Sequence, residues 1–135
     1  MHPTIARLAD AMNRHDVAGL ATLFSADYRS EQPAHPNRGF SGSDQVAANW
    51  SAMFAGVPDM QVDCLAETTD GDTSWSEWSW RGTHTDGSAF AMRGVVVFTI
   101  GDDDLIHAAR LYMEPVEAAG PVIDEAVDEL ARPPR

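Results

Sequence analysis

The sequence predicts an α+β domain: a conical, curved antiparallel β-sheet with helices packed on its concave face. Three observations predict it. Apolar residues recur at helical spacing through roughly the first 55 positions. From residue 59 the period falls to two and holds over four runs. Between those runs stand Asp70-Gly71, Asp86-Gly87 and the stretch Gly101 to Asp104, which is the chemistry of tight reversals. Helices grouped ahead of a meander make an α+β arrangement. A sheet this long twists and coils. Helices laid across its concave side leave a cone, and the mouth of a cone suits a small ligand.

The elements follow in order. Pro3 stands at a first helical position, where its missing N–H costs nothing, and Ile5, Leu8, Ala9 and Met12 follow at helical spacing. Asn13 to His15 interrupt the pattern. Asp16 then predicts an N-cap for a second helix whose buried stripe is Val17, Leu20, Ala21 and Phe24. Residues 26–32 read as a short strand ended by Pro33 and Pro36, with a loop over AHPNRGFSGS. Ser43 or Asp44 caps a third helix carrying Val46, Trp50, Met53 and Phe54 on one face, stopped by Gly56 and Pro58. Strands are expected near 59–69, 73–85, 88–100 and 104–114. After Pro115 and Gly120-Pro121, a last helix over about 121–131 carries Ile123, Ala126, Val127 and Leu130 on one face, and 133–135 read as a loose tail. The 135 residues make one domain, 1–135.

Parity sorts each strand into two faces. Tyr28, Ser30 and Gln32 fall together, as do Trp78, Trp80 and His84, then Phe90, Met92, Val96 and Phe98, then His107, Ala109, Leu111 and Met113. This aromatic and methionine-rich set predicts the concave lining. The opposite set holds Val95, Val97, Ile106 and Tyr112 beside Arg93, Arg110 and Glu114. Left bare, those four apolar side chains would make a larger patch than a monomer usually shows. The expectation is a homodimer through the outer sheet face. Arg110 and Glu114 are read as a structural pair.

Composition narrows the function. Hydrophobic residues are 44% and charged residues 22%, ordinary globular values. Twenty-one acidic against nine basic side chains give a net charge of −12. So acidic a body repels phosphate backbones and anionic lipid, which argues against nucleic-acid and membrane partners. GVVVFTIG is too short to span a bilayer. The start MHPTIARLADAM lacks the basic and apolar regions of a secretory leader, and Cys64 has no partner for a disulfide. Both fit a cytoplasmic setting. No CxxC pair, P-loop, dinucleotide glycine pattern or HExxH is present, so no cofactor is implied. Asp102, Asp103 and Asp104 read as a solvated turn rather than a metal site.

The segments AMNRHDVAGLATLFSADYRSEQPAHP, WSWRGTHTDG and VVVFTIGDDDLIHAARLYMEP resemble the nuclear transport factor 2-like superfamily. Within it they are most similar to the SnoaL-like polyketide cyclase and ketosteroid isomerase-like branch. The resemblance covers about residues 3–116 and implies a cystatin-like α+β barrel with a deep pocket, usually dimeric. It does not carry the family chemistry across. The isomerases' carboxylate base, just before a proline, falls on Gln32. Their tyrosine donor falls near Leu8 and their protonated acid near Val96, while the aspartate of the cyclases and of the limonene epoxide hydrolases falls on Leu111.

A rearranged set remains. Proton abstraction beside a carbonyl needs a base and a donor for the enolate oxygen. His35 is the base candidate, with Tyr28 and Gln32 as polarising donors; His84 is the second histidine of interest, and Glu31 requires a bulge to turn inward. Trp50, Trp78 and Trp80 form an aromatic wall, with Phe54, Met92, Val96, Leu111 and Met113 as further ligand contacts. The leading expectation is a pocket protein for a small hydrophobic cyclic or aromatic molecule. Its chemistry, if any, is cofactor-free isomerisation, cyclisation or dehydration. The alternative is a carrier of the same fold. A protein-interaction module is disfavoured by the aromatic lining.

Overall fold

The computed structural model describes residues 1–134. Helix α1 (Pro3–Asn13) and the short α2 (Val17–Ala21) precede strand β1 (Phe24–Glu31). A single 3-10 turn at Pro36–Arg38 and a two-residue strand β2 (Phe40–Ser41) lead into α3 (Ser43–Gly56). Then come β3 (Gln61–Asp70), β4 (Thr73–Thr83), β5 (Ala89–Ile100), β6 (Ile106–Pro115) and α4 (Ile123–Ala131). One curved, unclosed sheet results, in the order β2-β1-β6-β5-β4-β3. β1 runs parallel to β6 and every other pairing is antiparallel.

The helix starts follow from local chemistry. Pro3 opens α1, and the ring nitrogen Nδ1 of His2 accepts from the Thr4 amide at 3.1 Å. Asp16 caps α2 as expected, accepting from the Gly19 amide at 3.0 Å. α3 departs from expectation: its cap is Gly42, not Ser43 or Asp44. Gly42 sits at φ 96°, a region glycine reaches without strain. Its amide donates to the Tyr28 carbonyl at 2.7 Å, which anchors the start of α3 to β1. Asn13 ties α1 to the far edge of the sheet through both the amide and the carbonyl of Val62.

The core lies between the concave face and α1 to α3. Ile5, Leu8 and Met12 from α1 meet Trp78 of β4, Val96 and Phe98 of β5 and Met113 of β6. Irregularities in register adjust the parity. The pairing shifts between Thr99 and Ile100 opposite β6, so Ile100 faces Ile106 while Thr99 faces Ala108. This corrects two placements. Ile106 turns inward and is fully buried, and His107 swings out to Asp103 at 2.9 Å. Val97, expected on the outer face under a second copy, is already 2% exposed in the single chain, beside its cross-strand neighbours Trp75 and Arg110. A second shift between Cys64 and Ala66 leaves Leu65 exposed.

The last helix begins at Ile123 rather than near 121. Its apolar stripe is present but covers nothing: Ile123, Val127 and Leu130 are all exposed and no residue of α4 is buried. Pro133 and Pro134 follow without regular structure, and residue 135 lies outside the described residues. Among the described residues, no helix is long and apolar enough to cross a membrane.

Candidate functional site

A cavity of about 240 Å³ separates the sheet from the helices. Its walls come from six elements and one connecting segment. α1 contributes Leu8 and Met12; β1 contributes Phe24, Tyr28 and Ser30; α3 contributes Val46, Asn49, Trp50 and Met53. β4 contributes Trp78 and Trp80, and β5 with β6 adds Met92, Val96, Phe98, Ala109, Leu111 and Met113. Gln32, Arg38 and Phe40, from the segment between β1 and α3, complete it. Residues at the floor, such as Trp78, Val96 and Ala109, are buried, while Arg38 is exposed and Gln32, Asn49, Trp50 and Leu111 are partly so. The one charged side chain and two amides of the wall thus lie toward the mouth, among apolar side chains, and the interior is mostly apolar.

The spacing of the sequence explains these positions. Trp78 and Trp80 share parity on β4, and Val46, Trp50 and Met53 share a face of α3. Trp50 meets Trp80 edge to face, with ring centroids 5.2 Å apart and planes at 73°. The Trp78 indole N–H donates to Ser76 Oγ at 2.7 Å, and the Ser76 hydroxyl donates to the Val96 carbonyl at 3.0 Å. Trp80 differs: its buried Nε1 has no partner.

Tyr28 is 3% exposed and packs its ring against Phe24 at 4.7 Å. Burial pushes its hydroxyl up to about 12, opposed in part by the Ser30 side chain. At neutral pH it is therefore a hydrogen-bond donor and not a base. The amide oxygen of Gln32 accepts from Arg38 Nη1 at 3.1 Å, which leaves its NH₂ free to donate.

Nine of the twelve sequence candidates line the cavity: Tyr28, Gln32, Trp50, Trp78, Trp80, Met92, Val96, Leu111 and Met113. Three do not. Phe54 turns away and stacks on His15, centroids 4.2 Å apart, while His15 Nε2 donates to the Met60 carbonyl at 2.8 Å. His84 falls just past the end of β4, on the hairpin, where the parity of the strand no longer holds; it is exposed and meets the Phe90 ring edge-on. His35 opens the 3-10 turn and lies outside the lining, with Nε2 2.7 Å from Glu114 Oε1. That contact takes Glu114 away from the expected pairing with Arg110. Glu31 stays outside, 3.9 Å from Arg29.

Sequence reasoning missed Arg38, Asn49 and Phe40. Asn49 was legible one position from Trp50 on the α3 face. Arg38 and Phe40 reach the cavity only because the 3-10 turn folds the loop back, and no periodicity marks that. Among the described residues, no group of three His, Cys, Asp or Glu side chains is arranged to hold a metal.

An open conical sheet wrapped over helices, with an apolar cleft between them, defines the class. The chain belongs to the SnoaL-like domain family, whose model matches residues 5–109. Solved structures share the fold. An NTF2-like protein of unknown function from Exiguobacterium sp. 255-15 is 21% identical, with a TM-score of 0.68 over 85% of this chain and 99% of its own. A putative SnoaL-like polyketide cyclase from Jannaschia sp. CCS1 is 21% identical, with a TM-score of 0.70 over 82% and 83%. A Mycobacterium tuberculosis protein in complex with estradiol-17beta-hemisuccinate is 19% identical, with a TM-score of 0.70 over 81% and 89%. At these identities the likeness is one of fold. No curated protein matches.

Proposed function

We propose that this chain binds a small hydrophobic molecule, cyclic or aromatic, in the cavity between its sheet and helices. The observation that carries the reading is the wall itself: three indoles, methionines and aliphatics around about 240 Å³, with polar groups only at a few points. The Mycobacterium tuberculosis protein of the same fold is in complex with estradiol-17beta-hemisuccinate. Among the described residues the wall contains no histidine or carboxylate. Binding without chemistry is therefore the reading the geometry supports best. The test is titration with ring compounds, followed by tryptophan emission. Saturable one-to-one quenching is expected; a panel of neutral and charged ring compounds that leaves the emission unmoved would sink it.

A second reading, cofactor-free proton transfer, is favoured by one contact. Glu114 holds His35 in a fixed orientation beside the loop that carries Gln32 and Arg38. In this reading His35 is the base and Tyr28 and Gln32 polarise the substrate oxygen. Once a ligand is known, product formation abolished by His35→Ala supports it, and turnover unchanged in that variant removes it.

The partner in either case is a second copy of the chain. Trp75 and Tyr112 remain 47% and 43% exposed on the outer sheet face, with Leu65 beside the β3 bulge. A single half-buried cysteine fits a cytoplasmic setting. Sedimentation at micromolar concentration is expected to give twice the 14.6 kDa of the chain. A clean monomer excludes the dimer.

A further inference from the structure

Two features of the cavity are unused by a purely apolar guest. The first is Trp80. Its Nε1 is the single buried side-chain nitrogen or oxygen among the described residues that lacks a hydrogen-bond partner. The residue is 7% exposed and lines the cavity, and the edge-to-face contact with Trp50 holds its ring in place. Neighbouring Trp78 shows the ordinary arrangement, with its N–H satisfied inside the fold by Ser76. A buried donor without an acceptor is unfavourable, and each such group in a native fold calls for an explanation. Trp80 is part of the cavity wall, so a guest that reaches its N–H can supply the acceptor.

The second feature is Arg38. It is the one charged side chain in the wall among the described residues. Its guanidinium has five donors, and its side-chain partner is the neutral amide oxygen of Gln32. No carboxylate lies within 4.0 Å of it among the described residues, unlike the arginines at 14, 29 and 81, and of the arginines left without one it alone lines the cavity. An arginine fork of this kind is matched in geometry and charge by a carboxylate. The exposed position of Arg38 puts that charge at the mouth, where a carboxylate keeps part of its hydration.

We infer that the guest is an apolar carboxylic acid bearing a neutral acceptor oxygen. The carboxylate meets Arg38, the rings lie among Trp50, Trp78 and Met113, and the ether or carbonyl oxygen takes the N–H of Trp80. The inference rests on the small-molecule reading above and specifies it. The polarity of the cavity also sets the direction of entry, ring system first and acid last.

Three two-ring probes test it: 6-methoxy-2-naphthylacetic acid, its methyl ester, and 2-naphthylacetic acid. The methoxy acid is expected to bind at least about tenfold more tightly than its ester. In Arg38→Gln that preference disappears because the acid weakens and the ester does not. Arg38 is exposed, so the variant is expected to fold. In nitrogen-15 spectra the Trp80 indole N–H is expected to move downfield with the methoxy acid and not with 2-naphthylacetic acid. Trp80→Phe assigns that resonance; should the variant not fold, replacing the other three tryptophans in turn assigns it by elimination. An ester that binds as tightly as the acid, or an indole signal indifferent to the methoxy group, overturns the inference and leaves the pocket reading standing. Failure of all three probes, together with the neutral ring compounds above, removes both.

Discussion

Trp78→Ala is expected to lower the unfolding free energy by about 3–5 kcal/mol, a large share of what a domain this size has. The side chain is 1% exposed at the middle of β4. Its cross-strand partner on β5 is Gly94, where an added Cβ would lie 2.8 Å from Met113 Cα, so β5 and β6 pack their backbones tightly there. Removing the indole leaves a void that this backbone cannot close, continuous with the existing cavity. Ser76 keeps its bond to the Val96 carbonyl but loses its donor. Trp78→Phe preserves most of the packing and is expected to cost about 1–3 kcal/mol, mainly through the lost N–H bond. Urea unfolding of the two variants gives the comparison. A loss under about 1 kcal/mol for Trp78→Ala would mean that the indole is not closely packed.

The parts of this fold that were legible share one property: their signal is local. Pro3, the Asp16 cap, the change of period after Pro58 and the turn dipeptides each act within a few residues of themselves. Nine candidates line the cavity because strand parity and helix spacing survive as long as an element stays regular. What escaped depends on irregularity or on distance. The bulge beside His107 exchanges the faces of Ile106 and His107, and nothing in alternating residue types reveals where such an extra residue sits. His84 shares the parity of Trp80 but lies beyond the strand, so parity says nothing about it. His35 was placed by its loop, yet its partner Glu114 is 79 residues away in sequence and joins it only because β1 and β6 run parallel. The stripe on α4 predicts a helix correctly; amphipathicity does not say which surface that helix meets. The unsatisfied N–H of Trp80 is the plainest case. Trp78 and Trp80 look equivalent as letters, and Ser76, two residues before one and four before the other, can serve only the nearer.

Leu111→Trp is expected to abolish ligand binding, by at least about 100-fold or 2.7 kcal/mol, while leaving the protein folded. Leu111 lies on β6 opposite Val96, lines the cavity and is only partly buried. An indole at that position therefore grows into the empty volume instead of into packed backbone. Overpacking in a full core costs about 1–3 kcal/mol, and the loss here is expected at the lower end because the space already exists. The adjacent residue supplies the control. Tyr112 points to the outer face and is 43% exposed, so Tyr112→Trp adds an indole of the same size one position along, on the other side of the sheet. It is expected to leave affinity for the naphthyl acids unchanged. The two variants differ by a single step of strand parity, so together they ask which side of the sheet the guest occupies. Binding retained in Leu111→Trp and lost in Tyr112→Trp would place it on the convex face, and the cavity would then be a feature of packing alone.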